Sequence, residues 1–123
     1  MNKAYLGATL LGLAGCTAAG ASAINPSDDL HCAVMIRILE QNADEFGATP
    51  VAKKGLYVLQ TWYFSKIKRE RLAEAQGVVE AMKENPGQIS SAGQKCSNRA
   101  FGDPGFARWR SIVSDDYDQK ARR

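Results

Sequence analysis

Each of the four prolines in this 123-residue sequence follows a residue that caps helices: Asn25-Pro26, Thr49-Pro50, Asn85-Pro86 and Asp103-Pro104. Proline lacks a backbone N–H and holds φ near −65°, so a helix accepts it only in the first turn, where that N–H has no partner in any case. The asparagine, threonine or aspartate before it offers a side-chain oxygen to the orphan N–H groups that follow. The four pairs therefore predict four helix starts, at intervals too short for large domains.

The apolar pattern between these starts has helical period. Behind Asn25-Pro26, with Asp28 placed for the helix dipole, Cys32, Met35, Ile36, Leu39 and Ala43 share one face, and Leu30, Val34 and Ile38 widen it. That width predicts a central helix, ended by Phe46-Gly47. Behind Thr49-Pro50 the stripe is Val51, Gly55, Val58, Leu59 and Trp62, and the glycine in it predicts a neighbouring helix in close approach. Leu72, Ala75, Val79 and Met82 form a third stripe, which runs on from the second helix or is separated from it near Ser65–Arg69. Behind Asn85-Pro86, Ile89, Ala92, Gly93, Cys96 and Ala100 share a face that Gly102 stops. A fifth helix from Asp103-Pro104 carries Phe106, Trp109, Ile112, Val113 and Tyr117. Alternation of period two never lasts, so the expected fold is all-α, a bundle of four or five short helices over residues 24–117, with a polar tail at 118–123.

The first two dozen residues predict export. Lys3 precedes an apolar run, Ala4 to Ala14, that is the length of a signal-peptide core and too short to span about 30 Å of hydrocarbon. Two processing sites compete. Ala21-Ser22-Ala23 fits a signal peptidase and would make residues 1–23 the signal. Leu13-Ala14-Gly15-Cys16 fits a lipobox, which would make 1–15 the signal, Cys16 the lipidated first residue and 16–23 a tether. Under either reading Cys16 is accounted for, which leaves Cys32 and Cys96 of the three cysteines as an even pair in an oxidising compartment. Each lies on the apolar face of its own helix, so a bridge would staple the first helix to the fourth through the core.

Candidate chemistry is sparse. Without residues 1–23 the formal charge of +3 falls to +2, too balanced to argue for a nucleic-acid partner. His31, the one histidine, has no nucleophile or orienting group in the pattern, and it lies beside Asp28 and Asp29, where solvent exposure is expected. The basic run Lys66, Lys68, Arg69 and Arg71 reads as a solvated helix end with Glu70 and Glu74 as local partners. Asp115-Asp116-Tyr117-Asp118 lacks the glycine and distal glutamate of a calcium loop. Ser90, Ser91 and Ser111 have no base in the pattern. The reading is of no enzyme, no metal and no cofactor. Trp62-Tyr63-Phe64 points three ways on a helix, which places Trp62 in the core; Tyr57, Tyr63 and Phe64 are the expected contact surface for another protein.

The pieces Asp28-Asp29-Leu30-His31-Cys32, Gly55-Leu56-Tyr57-Val58-Leu59 and Ile89 through Cys96, in this order behind a signal peptide, resemble small exported single-disulfide helical proteins of Gram-negative bacteria. HdeA-type acid-stress chaperones and periplasmic immunity proteins have a similar outline, in which the cysteine pair is the part that carries over. The resemblance implies a location in the periplasm or cell envelope, soluble or lipid-anchored, and a non-enzymatic role in binding another protein as a chaperone or inhibitor does.

Overall fold

The computed structural model describes residues 23–122. Residues 1–22, which hold nearly all of the expected signal segment and the lipobox with Cys16, lie outside the described residues. Five α-helices follow one another: α1 (Asp29–Gln41), α2 (Pro50–Phe64), α3 (Ala75–Glu84), α4 (Ile89–Phe101) and α5 (Phe106–Ala121). No strand occurs among the described residues, so the fold is the expected all-α bundle.

The width of the apolar surface on α1 makes it the centre. Leu30 and every residue from Cys32 to Ile36 are buried, and α2, α3 and α4 all pack on this helix. Cys32, Met35 and Ile36 meet Val58, Leu59, Trp62, Tyr63 and Met82 in the main core. Leu30 and Val34 form a smaller one with Val78 of α3. The helix starts later than Asn25-Pro26 predicts. Asp28 is the cap, accepting the Leu30 N–H at 2.9 Å, while Asn25 closes a tight turn by accepting the Asp28 N–H on its carbonyl at 3.1 Å. The reason is competition for Pro26: its carbonyl accepts from Arg99 at 3.2 Å instead of opening a helix. The far end is also earlier than expected. α1 stops at Gln41, and Ala43–Phe46 form a 3-10 turn that closes on Gly47 at φ 71°, where a side chain would be strained.

Thr49-Pro50 behaves as expected: Thr49 accepts the Ala52 N–H at 3.1 Å and Pro50 is the first residue of α2. α2 and α3 are separate helices, divided by an extended Lys68 and a 3-10 turn over Arg69–Glu74. That turn lifts Leu72 out of the predicted stripe and leaves it exposed; Val78, Ala81 and Met82 do the packing of α3.

Pro86 opens a short 3-10 turn, and α4 follows with Ala92, Cys96 and Ala100 buried one turn apart. Cys96 is bonded to Cys32, with the two Cα atoms 5.7 Å apart, so the bundle is stapled from its central helix to α4. Arg99 lies over this staple. Its guanidinium reaches Asp29 at 2.8 Å, contacts the Cys32 sulfur at 3.4 Å and sits 4.9 Å from the centre of the Tyr63 ring.

Asp103 accepts the Gly105 N–H at 2.8 Å and so shapes the turn before α5, which begins at Phe106. Phe106 is buried, edge-on to Trp62 and Phe101. Of the polar tail expected at 118–123, Asp118 to Ala121 form the last turn of α5, and Lys54 donates to both oxygens of Asp118 at 3.2 Å. Ile112, placed by its spacing on the core face, is exposed.

Candidate functional site

The expected contact residues do not form one surface. Tyr63 is fully buried against α4, where its hydroxyl donates to the Cys96 carbonyl, and burial raises its pKa. This corrects its place among the contact residues. Tyr57 and Phe64 do share a hollow of about 450 Å³ on one side of α2, with Arg37, Glu40, Gln60, Thr61 and Trp109. Most of its groups already have partners in the chain. Arg37 lies 5.6 Å from the Phe64 ring centre, Gln60 donates to Glu40 at 3.4 Å, Trp109 donates to the Thr61 hydroxyl at 3.1 Å, and Tyr57 stacks at a tilt on Tyr117.

A more apolar feature lies between α2 and α4. Leu56 and Leu59 on α2 and Ser97 on α4 line two adjoining hollows, which form one groove. The first, of about 500 Å³, continues along Val51 and Gly55 to Phe101, Phe106, Arg110 and Ser114. The second, of about 670 Å³, continues past Ile89 and Gly93 to Phe46 and Pro86, with Ile36 and Leu39 of α1 as its floor. Volumes of this order are those of ligand-binding clefts. The groove exists because the positions that would fill it are small: Gly55 on α2, and Ser90, Gly93 and Ser97 on α4. Glycine in the predicted stripe does not admit a helix of this chain. A Cβ added at Gly55 would meet nothing within 4 Å.

Phe46 is 67 % exposed, Val51 77 % and Phe101 57 %, and all three border the groove. Isolated exposed apolar residues need no explanation; these three border a concave apolar surface. The charged residues lining the groove are Lys54 and Arg110, and both are in the first hollow. Lys54 is engaged by Asp118. Arg110 stacks over Phe101 at 5.1 Å from the ring centre and pairs with no carboxylate among the described residues.

Ser90, Ser97 and Ser114 line the groove, and among the described residues no histidine or carboxylate lines it with them. His31 is elsewhere, in a polar hollow with Asn25 and Glu74, and it is half-buried rather than exposed: its Nδ1 accepts the Asn25 N–H at 3.0 Å. Among the described residues no cluster of three or more histidine, cysteine, aspartate or glutamate side chains could hold a metal ion.

The basic run is partly structural. Arg71 forks onto Asp28 at 2.9 and 3.0 Å and also reaches Glu74, while Lys66 lies 4.0 Å over the Trp62 ring. Lys68 and Arg69 are exposed. The Asp115–Asp118 run is divided between Lys120, which meets Asp116, and Lys54, which meets Asp118.

The sequence reading missed the groove because Phe46 and Phe101 look like helix ends and Val51 and Gly55 look like core. The available signal was a stripe on α2 longer than the core needs, with a glycine in its middle. Comparison with protein families, curated proteins and solved structures finds no match to this chain.

Proposed function

We propose that this chain is an exported, non-enzymatic binding protein of the bacterial cell envelope, acting in the manner of a chaperone or inhibitor by holding an apolar helical segment of another protein. The observation that carries this reading is the groove between α2 and α4, with Phe46, Val51 and Phe101 exposed along its rim. Amphipathic helices dock by laying one apolar face into a cleft of this kind. Support for export comes from the apolar run behind Lys3 and from the Cys32–Cys96 bridge, which suits an oxidising compartment. No described helix is long and apolar enough to cross a membrane.

Gly55→Leu tests the reading, because the leucine fills open space in the groove and leaves the core untouched. Wild-type and Gly55→Leu proteins, both verified as folded, serve as baits in envelope extracts. A partner held by the wild type and lost by the variant is the expected result; equal capture by both removes the groove from the account.

A second reading, a structural lipoprotein anchored through Cys16, is favoured by the Leu13-Ala14-Gly15-Cys16 tetrad. The intact mass of the native protein separates the two. A soluble chain beginning at Ile24 and two hydrogens light supports the first, and a lipid-modified chain beginning at Cys16 the second.

A further inference from the structure

The charge on the groove is uneven, and the unevenness describes the occupant. The hollow bounded by Ile89, Phe46 and Pro86 carries no charged side chain. The hollow bounded by Phe101 and Phe106 carries Lys54 and Arg110 and no carboxylate. Lys54 is neutralised by Asp118, which leaves Arg110 as the cation of this hollow without an acidic partner among the described residues, held over the exposed Phe101 ring. Arg110 is exposed at the rim of the apolar cleft, where its guanidinium presents donors to an incoming carboxylate.

The shape selects a helix over a thin chain. Gly55 and Ser97 line the first hollow and Gly93 and Ser97 the second, so the walls are low and a backbone can come close. Ile89 and Phe101 mark the ends of the α4 wall, and at about 1.5 Å per residue they are roughly 18 Å apart, the length of three to four helical turns.

Resting on the reading of the groove as the binding face, we propose that its occupant is an amphipathic α-helix of a partner protein, three to four turns long. One face of that helix is apolar, and an acidic residue at one end is seated against Arg110 and Phe101.

The test uses the oxidised, exported protein and fluorescein-labelled synthetic peptides of sixteen residues with one leucine stripe. Two peptides carry a pair of glutamates, in the first turn or in the last, and two carry lysines in the same places. Fluorescence anisotropy reads the affinity. One glutamate peptide is expected to bind about fivefold tighter than its lysine counterpart in low salt, with the preference shrinking as salt rises. Arg110→Gln should abolish the preference and Arg110→Glu reverse it, while Gly55→Leu abolishes all binding; circular dichroism checks that each variant is folded.

Equal binding of all four peptides, unmoved by the Arg110 variants but lost in Gly55→Leu, overturns the charge assignment and leaves the groove in place. No binding of any peptide, or binding indifferent to Gly55→Leu, overturns both. Displacement of the peptides by equimolar dodecanoate makes an acyl chain the natural occupant, and concentration-dependent self-association lost in Gly55→Leu makes it a second copy of this chain. Either result overturns the proposal.

Discussion

Asp28 holds three functions at once: it caps α1, pairs with Arg71 and thereby ties the turn before α3 to the start of the central helix. The Arg71 guanidinium is the main reason its carboxyl sits below the ordinary value of 3.8, with the Leu30 N–H adding to the effect against the opposing pull of burial. A carboxyl whose pKa is lowered on folding stabilises the fold above its unfolded value, and that contribution is lost as pH falls through the folded one. Asp28→Asn keeps a capping side chain and removes the charge. The variant should be less stable than wild type at pH 7 in urea unfolding, and the difference should shrink once the pH drops below about 4. A gap of constant size down to low pH would show that the charge is irrelevant. Tyr63 makes a different case at the same scale. Its hydroxyl is the buried link from α2 to the Cys96 carbonyl, so Tyr63→Phe should cost about 1 kcal/mol in chemical denaturation with the fold retained. Alanine there would open a cavity instead, and loss of binding in that variant would say nothing about a surface.

Between elements, the staple and the caps decide what could be read in advance. The Cys32–Cys96 bridge was legible because each cysteine falls on the apolar face of a helix whose start is marked by proline, and α1 and α4 do lie side by side. Thr49-Pro50 located α2 to the residue, since nothing competes for its capping oxygen. Asn25-Pro26 misplaced the start of α1 because Arg99, 73 residues away, takes the Pro26 carbonyl, and local pattern holds no record of that partner. Tyr63 was misread for the same reason: whether the second side of a helix is covered depends on where α4 lies. The groove was only half legible, for the opposite reason. It is a place where two apolar helices fail to meet, and a glycine that admits a neighbour looks the same in sequence as one that leaves a gap. The staple closes 64 residues of sequence, so replacing both cysteines with alanine should lower stability by about 4 kcal/mol. Hydrogen exchange should then accelerate most in α4, which keeps the Tyr63 and Arg99 contacts but loses its covalent tie to α1; uniform acceleration across all helices would mean that the bridge stabilises no element in particular.

For the whole molecule, the groove sets stability against binding. Gly55 is exposed, helical and at an ordinary negative φ, so a leucine there should raise stability by up to about 1 kcal/mol through helix propensity alone. The same variant should bind nothing, and a thermal melt beside a binding curve reads both effects. Replacing Phe46 and Phe101 with serine should cost little stability, since both are largely exposed, and should lower the fluorescence of an apolar dye bound to the protein. Unchanged dye binding would place the apolar surface elsewhere. The disulfide has one more consequence, visible when the chain is drawn as a covalent graph. Residues 32–96 form a closed ring that contains all of α2 and α3, and α5 hangs from it as an open arm. A protease that nicks the ring leaves a single molecule whose halves remain joined. A cut at Gly102–Gly105 severs the arm's covalent tie, and with it that of Phe106, Arg110 and Ser114, the α5 side of the first hollow. Damage of equal chemical size is thus tolerated on one side of Cys96 and disabling on the other.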